Sequence, residues 1–218
     1  MKEAGRTDSW THEDASIMMF HSILEKSSEL RQIISEEDEH LINNLIKDKR
    51  DSKSQEWIYE IVSNSRNGID VDKFDYLTRD TSKTGMNMNS FNHEKVMKGA
   101  RVIDDKICYP EKDITELKKL FDSRYNLYKD CYHHRVTQAY EILLLDVLRA
   151  AASKFDFLSM ITDPEQYLTL DDTILHEIRI SDEPQLQKAR DLLARFDNRK
   201  HYSFAAEKVL PQKTTVTE

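Results

Sequence analysis

The segment Arg66–Asp80 constrains the fold of this chain more than any other run of residues. Its Asn67-Gly68 pair favours a backbone with positive φ, which ends or redirects a secondary-structure element. Asp70 follows directly, and it predicts an N-cap for a helix that begins near Val71. The segment therefore predicts a turn that leads into a helix.

One face of this predicted helix is polar. At about 100° per residue, a carboxylate, an ammonium, a phenol and a second carboxylate fall within an arc of roughly 100°. These residues are Asp72, Lys73, Tyr76 and Asp80, while Phe74 and Leu77 lie on the other side. Asp72 fits a metal ligand, and Lys73 with Tyr76 could hold phosphate oxygens. The alternative is an ordinary solvated amphipathic helix. The adjacent turn and the phenol within the polar arc favour the functional interpretation.

The rest of the chain also predicts helices, because four Gly and four Pro among 218 residues are few. Thr11-His-Glu-Asp14 and Ser35-Glu-Glu-Asp38 are typical of capping boxes, and Asp163-Pro164 is typical of a helix start. Each precedes apolar residues. The turn-rich stretch Thr81–Ser90 predicts a loop.

The second half contains one predicted hairpin and one long helical pattern. Ala100–Ile103 and Lys106–Tyr109 resemble two short strands around Asp104-Asp105. Asp113–Phe155 has helical periodicity over about 40 residues, which predicts a break near Cys131–His134. The predicted fold class is mainly α, with a single small β-hairpin.

Composition narrows the functional class. A net charge of −8 without a long basic block does not favour sequence-independent nucleic-acid binding. A local basic patch for single-stranded nucleic acid stays open. Cys108 and Cys131 fit no metal spacing or secreted disulfide framework, so we expect reduced thiols. No run approaches the ~18–20 apolar residues of a membrane span. We expect a soluble protein of the nucleus or cytoplasm that does not contact membranes.

Two further sites have candidate chemistry, and a third, the pair His133-His134, is excluded as a metal site. His12, beside Glu13, could be a general acid or base, although a surface histidine in a helix cap is the stronger interpretation. Arg124 and Tyr132 lie roughly 12 Å apart if one helix contains both, a distance that a nucleotide could span, although a surface arginine and a tyrosine at the edge of the core are the stronger interpretation of each residue alone. His133-His134 cannot ligate one metal on a helix, because adjacent side chains diverge by about 100°.

Several strings resemble the sterile-alpha-motif and HD-domain dNTP triphosphohydrolase family. They are Trp10-Thr-His-Glu with Met18-Met-Phe20, Tyr59–Asn64 continuing through Asp80, and Phe121-x-x-Arg124-x-x-Leu127 with Tyr132. The resemblance extends from Trp10 to about Ala206. It implies hydrolysis of a dNTP to a deoxynucleoside and inorganic triphosphate by a nucleotide-assembled tetramer. It also implies a truncated HD-domain helical core over residues 1–80 and a helical regulatory and oligomerisation lobe over 81–218, ending in a polar tail.

The resemblance assigns roles residue by residue. It implies that His12 assists protonation of the leaving 5′ oxygen and that Asp72 is the last ligand of the HD metal centre. It further implies contacts with the substrate and with activating nucleotides. For the substrate these residues are Lys73, Tyr76 and Arg124 at the triphosphate, Asp80 at the sugar 3′-hydroxyl, Tyr132 beneath the deoxyribose and His133 beside it. For the allosteric nucleotides, dGTP or GTP and a dNTP, they are Lys95, Lys112, Arg135 and Arg199.

The sequence also departs from the family. The HD centre needs a His, a His-Asp dipeptide and a later Asp, but none of the eight histidines is followed by Asp. The missing ligands and the sterile-alpha-motif module are expected upstream of Met1. Asp72 alone is not expected to hold the Zn, Fe, Mn or Mg ion of the complete enzyme tightly. His133 replaces a Gln, and Pro110 replaces a basic residue near the regulatory site.

Two hypotheses follow from the sequence. The chain is the C-terminal part of a dNTP triphosphohydrolase, or it is an inactive short isoform or paralogue. The inactive form would bind nucleotide or co-assemble with full-length subunits. In either case we expect the isolated chain to be inactive.

Overall fold

The computed structural model describes residues 10–51, 55–86 and 91–206, and these are mainly helical. The helices are α1 (His12–Lys26), α2 (Ser28–Ile33), α3 (Glu36–Ile46), α4 (Glu56–Val62), α5 (Val71–Thr84), α6 (His93–Gly99), α7 (Ile114–Leu127), α8 (Arg135–Ala151), α9 (Phe157–Met160), α10 (Pro164–Tyr167), α11 (Thr173–Ile180) and α12 (Gln187–Asp197). Single 3₁₀ turns span Glu111–Asp113 and Pro184–Leu186. The predicted fold class is confirmed. None of the described helices is long and apolar enough to cross a membrane.

The helix starts follow the capping signals. Thr11 and Ser35 each accept a hydrogen bond from the backbone N–H three residues on, and both form complete capping boxes. Asp163 caps α10, with Pro164 at the first helical position. Asp70 is extended, at φ −148° and ψ 167°, and it caps α5. The predicted starts of these four helices are confirmed.

The predicted hairpin is also confirmed. β1 (Arg101–Ile103) pairs antiparallel with β2 (Lys106–Cys108), with Arg101 opposite Cys108. Asp104 and Asp105 form the turn at φ 50° and 58°. The Asp105 carboxylate also accepts the Glu56 backbone N–H at 2.8 Å, so the turn caps the start of α4.

The long helical pattern is broken as predicted, although the break begins earlier. α7 ends at Leu127, Tyr128–Tyr132 form a π-helical turn, and α8 begins after an N-cap at His134. The α-helical rise used to place Arg124 and Tyr132 about 12 Å apart therefore does not apply.

The predicted loop over Thr81–Ser90 is wrong for its first four residues. α5 continues to Thr84 and ends at Gly85 in the left-handed conformation. The hydroxyls of Thr81 and Thr84 donate to the carbonyls of Leu77 and Asp80, which satisfies both side chains inside the helix. Residues 87–90 of that prediction lie outside the described residues, as do the polar stretches 1–9 and 207–218.

The chain divides into two compact units. Unit 1 comprises residues up to Cys131 together with Asp156–Asp171, and unit 2 comprises Tyr132–Phe155 and the residues from Asp172 onward. The boundary at residue 80 expected between an HD part and a regulatory lobe is not tested by this division and stays a prediction.

In unit 1, α5 packs against α7 and the preceding turn. Phe74 and Leu77 of α5 are buried, as are Leu120 and Leu127 of α7. Gly68, at φ +69°, lies under the Phe121 ring, whose Cε1 is 3.8 Å from the place that a Cβ at Gly68 would take. The turn is thus held against α7 before α5 begins.

In unit 2, α8 and α12 form the main helix pair. Their buried faces carry Leu143, Val147 and Ala151 from α8, and Ala189 and Leu193 from α12.

Candidate functional site

The turn before α5 is built around two buried polar side chains, Asn64 and Asp70. The Asn64 Oδ1 accepts the backbone N–H of Arg66 at 3.1 Å, and its Nδ2 donates to the Ile69 carbonyl at 3.3 Å. The Asn64 backbone N–H donates in turn to the Asp70 Oδ2 at 3.0 Å. These bonds satisfy polar groups that would otherwise be buried without partners. They fix the direction in which α5 leaves the turn.

Asp70 also holds Lys73. Its Oδ1 accepts the Lys73 backbone N–H at 3.1 Å, and its two oxygens lie 3.2 and 2.9 Å from the Lys73 ammonium. Asp70 is 4% exposed, whereas the Lys73 side chain is 21% exposed. The Lys73 side chain is therefore held by Asp70 and still partly exposed to solvent.

A second ion pair connects the same turn to the hairpin. The Glu60 carboxylate is 1% exposed and accepts two bonds from Arg66, with Nη2 at 2.8 Å from Oε2. It also accepts the Ile107 backbone N–H at 2.8 Å, and the Arg66 Nη2 donates to the Ile107 carbonyl at 2.9 Å. The Arg66 guanidinium holds the pKa of the Glu60 carboxyl below its usual range, against the effect of burial. Glu60 thus joins α4, the turn and β2.

The polar face of α5 is present as the sequence predicted. Asp72 is exposed, and Lys73, Tyr76 and Asp80 are half-buried, while Phe74 and Leu77 are buried. The helix therefore presents an ammonium, a phenol and two carboxylates along one side. Asp75 and Arg79, also on α5, form an exposed ion pair at 3.0 Å.

The other predicted substrate residues are divided between the units. In unit 1, Arg124 is exposed on α7. His12 is the first residue of α1; its imidazole is 89% exposed, and the Nε2 lies 3.0 Å from the Glu13 carboxylate. In unit 2, Tyr132 is half-buried, and the His133 Nδ1 lies 2.9 Å from the Gln138 amide nitrogen.

Two of the predicted allosteric residues line one open cavity of about 600 Å³ in unit 1. Lys95 and Lys112 lie there with the cations Lys98 and Arg101. The buried Asp113 forms the floor, and its Oδ1 is 3.3 Å from the Lys95 ammonium. This cavity suits an anion, because four cations line it against two carboxylates, Asp113 and Glu94.

The remaining two allosteric candidates lie in unit 2. Arg199 lines a cavity of about 690 Å³ with Tyr140, Phe196 and His201, and its φ is +56°. Arg135 opens α8, and its guanidinium lies 5.4 Å from the Phe204 ring centre. Arg135 thus lies over an aromatic ring, and Arg199 shares its cavity with aromatic side chains.

The metal assignment at Asp72 does not gain a ligand set from the described residues. Within residues 10–51, 55–86 and 91–206, no group of three or more His, Cys, Asp or Glu side chains is placed to hold one ion. One exposed carboxylate is too few for a catalytic divalent site. The described residues therefore do not fit that metal.

The structure also reveals site residues that sequence reasoning missed. Glu60, Asn64 and Arg66 organise the start of α5, yet only Asp70 was predicted as its cap. The available signal was a charged Glu60 beside the apolar stripe of α4, followed by Asn-x-Arg-Asn-Gly. Local spacing alone could not show that Glu60 bonds to Ile107, 47 residues away.

The sequence of this mainly helical chain is homologous to that of proteins of the HD-domain family. The chain is homologous to the SAMHD1-type dNTP triphosphohydrolases. It is 36% identical over 205 residues to the "Deoxynucleoside triphosphate triphosphohydrolase SAMHD1 homolog" of Dictyostelium discoideum, covering 94% of this chain and 39% of that protein.

Two other relatives agree with this assignment. The human deoxynucleoside triphosphate triphosphohydrolase SAMHD1 is 32% identical over 230 residues, which covers 91% of this chain and 37% of the human protein. A putative HD-domain protein of Acanthamoeba polyphaga mimivirus is 34% identical over 123 residues, covering 56% of this chain and 26% of the viral protein. The chain therefore spans about two-fifths of the cellular relatives' length. No family model matches it.

Proposed function

We propose that this chain supplies the triphosphate- and sugar-contacting part of a dNTP triphosphohydrolase. The reaction of the whole protein would give a deoxynucleoside and inorganic triphosphate. The observation that carries the proposal is the fixed Lys73 ammonium on the same α5 face as Tyr76 and Asp80. The homology to proteins named for this reaction supports it.

The proposed contacts follow from the chemistry of each side chain. Lys73 and Arg124 supply positive charge to phosphate oxygens, and the Tyr76 hydroxyl donates a hydrogen bond to them. The Asp80 carboxylate accepts a hydrogen bond from the 3′-hydroxyl. Tyr132 would pack beneath the deoxyribose, where a 2′-hydroxyl would meet it, with His133 beside the substrate.

His12 is the proposed proton donor. When water attacks the α-phosphorus and the bond from phosphorus to the 5′ oxygen breaks, the leaving oxygen needs a proton. An imidazolium at His12 could supply it. The His12 Nε2 lies 3.0 Å from the adjacent Glu13 carboxylate.

Regulation and assembly belong to the same proposal. Activating nucleotides are proposed to bind in the cavity that Lys95 and Lys112 line. Arg135 and Arg199, in unit 2, are also proposed to contact activating nucleotides. A second copy of the chain is the proposed partner for α7, whose Ile114, Phe121 and Tyr125 are exposed on one face. The family's tetramer, its divalent metal and the nuclear or cytoplasmic location are included as expectations for the whole protein.

A catalytically inactive nucleotide-binding subunit is the second candidate. The observation in its favour is that, among the described residues, Asp72 belongs to no group of three or more His, Cys, Asp or Glu side chains that could hold a metal ion. This candidate keeps the contacts on α5 and predicts binding or co-assembly without turnover.

The test separates binding from turnover in the purified 218-residue chain. Lys73→Ala should weaken dGTP binding about tenfold, because a charge-assisted hydrogen bond contributes roughly 1.5–3 kcal/mol. Arg79→Ala, which removes a cation from the same helix, should change the Kd less than twofold. Calorimetric titration with dGTP measures both. Equal effects of the two variants would contradict the proposed site.

Turnover can eliminate the second candidate. Triphosphate release from dGTP is measured with and without Mn²⁺ or Fe²⁺, and metal-dependent release would eliminate the inactive subunit. Binding without release is expected of both candidates in the isolated chain.

A further inference from the structure

The Lys73 ammonium already has an anionic partner. Two Asp70 oxygens lie 2.9 and 3.2 Å from its nitrogen. The Asp70 carboxylate is itself fixed by the backbone N–H groups of Asn64 and Lys73, at 3.0 and 3.1 Å. Asp70 is 4% exposed, so water does not replace these bonds easily. Any phosphate that binds Lys73 must share it with this carboxylate.

We propose that Asp70 is a positioning residue that acts through Lys73 and competes with polyphosphate for it. It holds the ammonium at the start of α5, and its charge keeps the affinity for a triphosphate moderate. This inference rests on the proposed role of Lys73 as a phosphate ligand. A site that releases inorganic triphosphate as its product needs such a limit, because a fully cationic site would retain that product.

Two opposing effects decide whether removing the Asp70 charge tightens or weakens the binding of a polyphosphate. An ammonium has three N–H donors, and the Asp70 oxygens engage it from one side, so a donor remains for a phosphate oxygen. A phosphate there would lie roughly 6 Å from the carboxylate. Repulsion by the carboxylate would then lower the affinity about threefold for each unit of negative charge on the ligand, even at the dielectric constant of water.

The second effect, which opposes tighter binding, is that the Lys73 side chain becomes less ordered when Asp70 no longer holds it. Without Asp70, the Lys73 side chain regains rotamer freedom that binding must remove. Tripolyphosphate carries several negative charges at neutral pH, so the repulsion acts more than once, although salt screens part of it. The electrostatic effect is therefore the larger of the two, and removing the Asp70 charge should tighten binding.

Asp70→Asn is the informative variant. Asn retains an oxygen that can accept the Lys73 N–H, and it is as good an N-cap as Asp, but it has no second oxygen for the Asn64 backbone N–H, which the Asp70 Oδ2 accepts at 3.0 Å. The matched control is Asp75→Asn, which removes a carboxylate from an exposed position on α5 where Arg79 is its partner. Both variants change the net charge by the same amount.

The probe is inorganic tripolyphosphate, titrated into the full chain by calorimetry at two salt concentrations. Asp70→Asn should lower the Kd roughly fivefold, with a larger gain at low salt, and Asp75→Asn should change it less than twofold. The gain should vanish in the Lys73→Ala background. Circular dichroism confirms that each variant is folded.

Weaker or unchanged binding by a folded Asp70→Asn would overturn the inference, because a purely structural cap predicts that result. A gain that persists without Lys73 would overturn it too. If Lys73→Ala weakens binding but Asp70→Asn does not tighten it, the proposed function stands and this inference falls. If no form binds tripolyphosphate, both fall.

The ion pair itself is tested without a ligand. Acylation of lysines, read by mass spectrometry, should label Lys73 faster in Asp70→Asn than in the unmodified chain, with Lys83 of α5 as internal reference. An unchanged Lys73 rate would overturn the inference at its first step.

Discussion

Replacing Arg66 by Ala tests how α5 is held in place. The change removes both guanidinium bonds to Glu60 and the bond to the Ile107 carbonyl. Glu60, which is 1% exposed in the unmodified chain, then keeps a hydrogen bond from the Ile107 backbone N–H. A buried carboxylate is then left without its counter-ion.

The magnitude follows from this geometry. Removing one partner of a fully buried ion pair costs about 3–5 kcal/mol. The Arg66 side chain is 35% exposed, so water can reach the vacated space and solvate part of the charge. We therefore expect a loss of about 2–3 kcal/mol in the free energy of unfolding. Arg79→Ala breaks an exposed ion pair and should cost less than about 0.5 kcal/mol.

Urea denaturation of four forms measures the effect: the unmodified chain, Arg66→Ala, Glu60→Gln and the double variant. Glu60→Gln keeps an oxygen for the Ile107 N–H but carries no charge. The double variant should therefore be more stable than Arg66→Ala alone. An Arg66→Ala loss no larger than that of Arg79→Ala would refute the reasoning, as would two strictly additive losses.

The stability that the Glu60–Arg66 ion pair contributes should decrease as the pH falls. Arg66 lowers the pKa of Glu60 in the folded state. A lowered carboxyl pKa contributes stability above the unfolded-state pKa, and this contribution is lost as the pH falls through the folded-state pKa. The difference in unfolding free energy between the unmodified chain and Arg66→Ala should thus shrink in acid.

Two further predictions concern other elements. Gly99→Ala would place a Cβ 2.7 Å from the Asp113 Oδ2, so it should cost about 1–3 kcal/mol in urea denaturation. Gly85→Ala, with no atom within 4 Å but φ at +65°, is the control for strain without a clash and should cost about 1 kcal/mol. The Lys47 ammonium, together with hydrogen bonds from the Thr11 backbone N–H and hydroxyl, lowers the pKa of Asp14 to about 2. Carboxyl titration by NMR should show a smaller shift in Lys47→Ala, and the stability that the shift confers should be present near neutral pH and decline as the pH falls toward 2.

The starts of the helices could be predicted because caps are local. Thr11, Ser35, Asp70 and Asp163 each bond to a backbone N–H two or three residues ahead. Such bonds depend on residue type and spacing, and both are written in the sequence. The polar face of α5 was predictable for the same reason, since helical periodicity alone groups its members.

The end of α5 was not predictable in this way. Thr, Ser and Gly are frequent in loops, and Thr81–Ser90 was assigned to a loop on that basis. In the structure, Thr81 and Thr84 satisfy their hydroxyls by bonding back to carbonyls four residues earlier. Composition does not distinguish that arrangement from a turn, because the same side chains serve both.

The sequence by itself determined where four of the helices begin, the pairing of the hairpin and the order of groups along α5. Only the tertiary structure decided what holds those groups. Glu60 meets Ile107 from 47 residues away, and the Asp105 carboxylate caps α4 from 49 residues away. These contacts exist because the hairpin folds back onto α4 and the Asn-Gly turn. Caps and periodic faces follow from the spacing of neighbouring residues, whereas partners distant along the chain are chosen by the path of the backbone.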